Sequence, residues 1–235
     1  MSRYLSYGEL DRIADRVVNA YSKLPEVSIT ELLYVDPNIL LRSLLGLEIE
    51  YRHLSPDGRL LGLTTFDEVD FEVVEDDEVE LFFFDGKTVL IEKELAGGRK
   101  NFTIVHEGCH HVLHMLFPRY YGSMTCERRI IQYRESNCTK SREEWQVDYL
   151  TSRILMPRPL VEQAMKLAGL EGKIEMLNPV WRYREYEAFC NMCLLLGVSK
   201  QALALRMKQL GLLGTEHLAR PYEIVDIWKE DNEIE

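Results

Sequence analysis

The sequence lacks several things, and each absence removes a class of function. Its first residues, Met1-Ser2-Arg3-Tyr4-Leu5-Ser6-Tyr7, contain no apolar run, so no secretory signal is expected and a cytoplasmic location is. No stretch of the 235 residues approaches the roughly 18 consecutive apolar positions that a membrane helix needs. The five cysteines (Cys109, Cys126, Cys138, Cys190, Cys193) make an odd count without disulfide-framework spacing, which points to reduced thiols. Cys190 and Cys193 form a C-x-x-C in an apolar helical pattern with no second pair, so they read as buried structural thiols. Bases are scarce: 28 Lys and Arg face 39 Asp and Glu, for a net charge of -11. That field disfavours nucleic acid and anionic membrane as partners. No repeat or low-complexity segment occurs, apart from one acidic run. Between Asp67 and Glu80 there are nine acids and no base. Without a central glycine or metal-ligand spacing it reads as a solvated hairpin or loop face rather than a calcium loop.

What is present suffices for a core, since 46% of residues are hydrophobic. The expected class is α+β. Leu10, Ile13, Ala14, Val17, Val18 and Tyr21 recur at three-and-four spacing, predicting a helix from Tyr7 to Lys23 that Pro25 ends. Asp36-Pro37 is an N-cap followed by proline at the first helical position, opening a second helix that reaches Gly46. A β-rich stretch follows: Leu47 to Tyr51, a Pro56-Asp57-Gly58 turn, Leu60 to Thr65, and Glu80 to Phe84. Asp85-Gly86 then carries hairpin chemistry into Thr88-Val89-Leu90-Ile91. From Asn101, a good N-cap, a helix is expected to run to Phe117, with Pro118 as its stop. Residues 119–142 read as a basic loop (Arg119, Arg128, Arg129, Arg134, Lys140, Arg142), and further helices are expected at 141–156, 160–169, 181–195 and 199–211, before a tail from Tyr222 to Trp228. The organisation is one compact unit: N-terminal helices (1–46), a small mainly antiparallel sheet with the Asn101 helix (47–117), a variable basic loop (118–140), and a helical C-terminal part (141–235).

The Asn101 helix carries His106-Glu107-Gly108-Cys109-His110, an H-E-x-x-H pattern. Four residues apart on a helix, both imidazoles share one face and can reach one ion. Glu107 lies about 100° round the helix, where a base acting on a metal-activated water belongs. Phe102, Val105, Cys109, Val112, Leu113 and Leu116 form the adjacent packing side. A catalytic zinc takes three protein ligands and keeps one open position. A metzincin would continue H-x-x-G-x-x-H, but Leu113 and Leu116 occupy those places, so the third ligand must come from another element. Glu144-Trp145-Gln146-Val147-Asp148 offers a glutamate ligand, with an aspartate one turn on to hydrogen-bond the outer nitrogen of a ligand histidine. Glu127, Glu135 and Glu143 compete but lack a following acid at helical spacing beside an apolar stripe.

At this point two blocks together become recognisable. Thr103 to His110 with the Leu113-His114 close, followed by Glu144 to Pro157, resembles the ImmA/IrrE family of bacterial metallopeptidases. The first block resembles T-x-x-H-E-x-x-H-x-x-L-H, and the second resembles E-x-x-A-(N/D)-x-x-A-x-x-L-(L/M)-P. Residues 6–117 and 141–212 follow that family's layout. The resemblance implies a zincin-like, gluzincin-type endopeptidase with zinc held by His106, His110 and Glu144, Glu107 as base, and Asp148 behind a ligand histidine. It also implies a protein substrate, often a helix-turn-helix transcriptional repressor. The chain departs from the pattern in three ways. Cys109 stands where many relatives have glycine, Val147 and the Thr151-Ser152 pair replace alanines, and no C-terminal sensor-like domain fits the remaining residues.

A gluzincin needs a donor to the oxyanion, and His111, His114, Tyr120, Tyr121 and Tyr149 are candidates, with a structural hydrogen bond expected for His114. The Thr88–Ile91 strand is expected to form a sheet edge onto which a peptide substrate adds. Two rivals come from other classes. Leu195 to Leu212, with Gly197-Val198-Ser199 at a turn, superficially resembles a helix-turn-helix and suggests a DNA-binding regulator with a structural zinc. A protein that sequesters a repressor without cutting it is the second.

Overall fold

A computed structural model describes residues 4–27, 34–55, 58–75, 78–118, 132–135 and 142–214. Helix α1 (Tyr7–Tyr21) begins at a reciprocal cap: Ser6 Oγ accepts from Glu9 N at 3.3 Å, and Glu9 Oε2 accepts from Ser6 N at 2.9 Å. It buries Leu10, Ile13, Ala14 and Tyr21. Asp36 caps α2 (Pro37–Ile39) as expected, its Oδ1 accepting from Asn38 N at 2.8 Å and Ile39 N at 3.3 Å. The chain then widens into a π-helical stretch, Leu40–Leu45, that Gly46 ends with φ of 67°.

Six strands follow in the described residues: β1 (Glu48–Arg52), β2 (Leu60–Thr64), β3 (Glu68–Glu75), β4 (Glu78–Asp85), β5 (Thr88–Glu92) and β6 (Gln132–Glu135). Four form a mixed sheet in the order β1-β5-β2-β6, with β1 and β5 parallel and the other pairs antiparallel. β3 and β4 make a separate two-stranded sheet. The described part of the acidic run (67–75 and 78–80) thus falls in this hairpin, with Glu68, Asp70 and Glu72 exposed along one row of β3.

Three sequence expectations are corrected. Asp85-Gly86 does turn the chain, with Gly86 at φ of 75°, but β4 and β5 do not pair. All five residues of β5 are buried, and its two sides are taken by β1 and β2. For the same reason Thr88–Ile91 is an interior strand, not a substrate-accepting edge; among the described strands the edges are β1 and β6. β6 itself lies inside the segment expected to be loop.

The long helix α3 (Gly97–Leu116) starts at an Ala96 cap, five residues before Asn101. Asn101 is helical, and its Nδ2 donates to Gly197 O at 2.9 Å, a tertiary use of the side chain that replaces capping. Helices α4 (Arg142–Leu155), α5 (Arg158–Leu167), α6 (Tyr183–Leu196) and α7 (Lys200–Gln209) complete the described chain. The architecture is thus α+β. One continuous core draws on α1, β1, β5 and every helix from α3 to α7, and a smaller one (Leu54, Leu63, Phe84, Leu90) lies under the hairpin. No single helix among the described residues is long and apolar enough to cross a membrane.

α3 lies between α4 and β2. Close approach on its flanks depends on glycines. At Gly98 a Cβ would stand 2.2 Å from Ser199 N, so the α6–α7 turn rests directly on α3 backbone. At Gly108 it would meet Leu41 Cδ1 at 2.9 Å, so the glycine inside the H-E-x-x-H pattern lets the π-helical stretch pack closely.

Candidate metal centre

His106 and His110 project from α3 toward α4, where Glu144 and Asp148 stand one turn apart. The two Nε2 atoms are 3.2 Å apart. His106 Nε2 lies 3.2 Å from Glu144 Oε2, and His110 Nε2 lies 3.4 Å from Glu144 Oε1. These three residues are a group able to hold a metal ion. The spacings themselves test the fit. A tetrahedral ion with ligand arms of about 2.0–2.1 Å has edges of about 3.3–3.4 Å, and the three separations lie close to that.

Protonation supports the same conclusion. His106 Nδ1 is 3.0 Å from Asp148 Oδ1. An ionised carboxylate only accepts, so Nδ1 carries the proton and Nε2 turns a lone pair toward the cluster. Burial lowers the pKa of His110 below the ordinary imidazole value, partly opposed by the hydrogen bond and charge of Glu144. Burial pushes the Glu144 carboxyl up, but the imidazoles of His106 and His110 that face it outweigh this and hold the group well below the usual carboxylate range. Neutral imidazole and ionised carboxylate are the forms that bind a metal. The histidines are almost fully buried while the Glu144 side chain is 23% exposed, so the centre opens to solvent on the α4 side.

Glu107 is wholly buried on the β2 side of α3. A Cβ on Gly62 of β2 would come within 2.8 Å of Glu107 Oε1 and 2.7 Å of Thr103 Cγ2. Gly62 therefore makes room for the glutamate. An isolated glycine in the apolar run Leu60-Leu61-Gly62-Leu63 signals such an approach, but the residue was not among the sequence candidates.

The structure separates the proposed oxyanion donors. His111 is buried, its Nε2 2.6 Å from Thr64 Oγ1 on β2, and burial followed by its histidine neighbours lowers its pKa to about 4. His114 stacks on Phe66, ring centroids 4.3 Å apart and nearly parallel. The Tyr149 hydroxyl donates to Asp11 Oδ1 at 3.1 Å and accepts from Arg153, which commits it to the α1 interface. Tyr120 and Tyr121 lie outside the described residues, as do Glu127, most of the basic segment, Cys126, Cys138 and the tail from Tyr222 to Trp228. Glu143 is buried beside Glu144, and burial followed by the Glu144 charge raises its pKa to about 7.

Cys109, at the position of the first departure, is fully buried; burial pushes its thiol up to about 12 despite a hydrogen bond with Thr151 of α4. It is packing between the two site helices. The helix-turn-helix-like pair α6 and α7 bends by 101°. However, Leu203, Ala204, Arg206 and Met207 of α7 are buried, and the turn sits on Gly98 and Asn101 of α3. Four of the ten residues of that helix are thus spent on the core. In comparisons with known proteins, no family model matches the chain, and no curated protein matches it.

Proposed function

We propose that this chain is a zinc-dependent endopeptidase of the gluzincin kind, with a zincin-like catalytic domain, acting inside the cytoplasm on a regulatory protein such as a helix-turn-helix repressor. The observation that carries the reading is the convergence of His106, His110 and Glu144 at tetrahedral spacing, with Glu107 on the turn between the two histidines. The donor set of two neutral nitrogens and a carboxylate suits zinc among the common divalent ions. The ImmA/IrrE-like order of the two sequence blocks supports the peptidase reading and the class of substrate.

Bound there, zinc supplies the Lewis acidity that makes water a nucleophile near neutral pH and polarises the scissile carbonyl. The chain's own residues do the rest. Glu107 accepts the proton that water loses as its oxygen bonds to the carbonyl carbon, and returns it to the amine as the C–N bond breaks. Asp148 keeps the proton of His106 on Nδ1 and fixes the ring. Gly62 leaves the Glu107 carboxylate its place against β2. Among the described strands β6 is the edge of the sheet beside β2, and an extended substrate adds there rather than at β5.

The test is co-incubation of zinc-loaded wild type and Glu107→Gln with a repressor encoded beside this chain. Mass spectrometry should find fragments with wild type only, while both forms bind one zinc. Binding of the repressor by both forms with no fragments from either would replace the peptidase with the sequestering protein.

A further inference from the structure

The hairpin β3–β4 has two unlike faces. Antiparallel register pairs Phe71 with Phe82 and Val69 with Phe84, and Phe71, Phe82 and Phe84 pack onto the smaller core. The opposite face pairs Asp70 with Phe83 and Glu72 with Leu81, with Val79 further along the same row. That row is strongly exposed: Val79 62%, Leu81 74% and Phe83 60%. Beside it run the exposed acids Glu68, Asp70 and Glu72 of β3. Among the described residues no ion pair neutralises these three carboxylates. An exposed apolar ridge rimmed by charged residues marks an interaction surface.

The charge decides what covers it. A second copy of this acidic chain, an anionic lipid surface or a nucleic acid would bring like charge against the flank. We infer that the face Val79-Leu81-Phe83 with Asp70 and Glu72 docks a cationic amphipathic segment of a protein partner. Alternate strand residues repeat about every 6.6–6.8 Å, close to the roughly 6 Å between residues four apart on a helix. An apolar helix stripe therefore matches the row while Lys or Arg beside it meets the β3 acids.

The hairpin is tied to the metal centre's own elements. Phe66, in the link from β2 to β3, packs against His111 and His114 of α3, and a Cβ on Gly86 would stand 2.9 Å from Phe66 backbone. A partner docked on this face is thus held near the α3–β2 side where Glu107 lies. Its role as the hold on a substrate to be cut rests on the peptidase reading; docking itself does not.

Fluorescence anisotropy separates the two. The probe is a labelled synthetic helix with leucine on one face and lysine on the other, titrated with the full chain carrying Glu107→Gln. Saturable binding is expected, weakened at least about tenfold by Leu81→Ser with Phe83→Ser, by a similar factor by Asp70→Asn with Glu72→Gln, and progressively by salt. Because these side chains are exposed, circular dichroism and melting of the variants should match the parent. The inference fails if either double variant binds like the parent, or if a peptide with glutamate for lysine binds equally well. It also fails if the full chain without peptide cosediments with anionic vesicles and the serine variant does not, or if the serine variant changes only the oligomeric state. Docking that persists while wild type cuts no protein removes the peptidase and leaves the face; cleavage with kcat/KM untouched by either double variant removes the face and leaves the peptidase.

Discussion

Replacing Gly62 with alanine should damage catalysis far more than metal binding. The added Cβ would stand 2.7 Å from Thr103 Cγ2 and 2.8 Å from Glu107 Oε1, against the roughly 3.5–4.0 Å of a relaxed carbon contact. About 0.8 Å must be found, and both neighbours are fully buried. Overpacking of this kind costs about 1–3 kcal/mol. For a chain of this size that lowers the melting temperature by about 2–4 °C per kcal/mol. Displacing a proton-transferring group by about 1 Å costs on the order of 100-fold in rate. The atoms nearest a Cβ on Gly62 belong to Thr103 and Glu107 and not to His106, His110 or Glu144, so zinc affinity measured by chelator competition should stay within about twofold. Adding Thr103→Ser removes the methyl in the way and should restore much of the stability without restoring activity, because the clash with Glu107 remains. If Gly62→Ala alone keeps wild-type melting and full activity per folded molecule, Glu107 is not seated against β2 as described.

Asp148→Asn should weaken zinc affinity by about 10–100-fold, as loss of an outer carboxylate on a ligand histidine does, read by competition with a calibrated chelator. Gly98→Ala places a Cβ 2.2 Å from Ser199 N and 2.6 Å from Val198 Cα, both backbone, so the α6–α7 turn must lift off α3. A stability loss of about 3 kcal/mol or more in urea, the upper end of overpacking, is expected. Burial raises the Cys109 thiol to about 12, so the folded state favours the protonated form. Its contribution is complete below the unfolded thiol pKa and is lost as pH rises toward 12. Cys109→Ala should flatten the alkaline limb of the stability profile, and native Cys109 should resist alkylation that the partly exposed Cys190 undergoes.

Local signals were legible in the sequence wherever the relevant neighbours lie within a few residues. The apolar spacing of α1, Asp36-Pro37 before α2, and the two four-residue spacings His106/His110 and Glu144/Asp148 all needed only helix geometry, and the fold sets the last two against each other. Pairing between strands was less legible, because register is decided by partners far along the chain. Asp85-Gly86 looks like a hairpin, yet β5 is claimed by β1, some 40 residues earlier, and by β2. β6 was hidden because its segment is polar and basic, and its strand character comes from the partner it finds in β2. Asn101 reads as a cap, but its amide finds a carbonyl 96 residues away. Gly62 matters only because Glu107 stands over it, a relation no local pattern contains.

The central claim is that His106, His110 and Glu144 jointly hold a metal. X-ray absorption at the zinc edge of the zinc-loaded full chain tests it most directly. The account predicts one zinc per chain in a four-coordinate shell of nitrogen and oxygen at about 2.0–2.1 Å, with two imidazole signatures, lost from the Glu144→Gln and His110→Gln proteins. A sulfur scatterer at about 2.3 Å, or an unchanged shell in either variant, would place the metal elsewhere and contradict it.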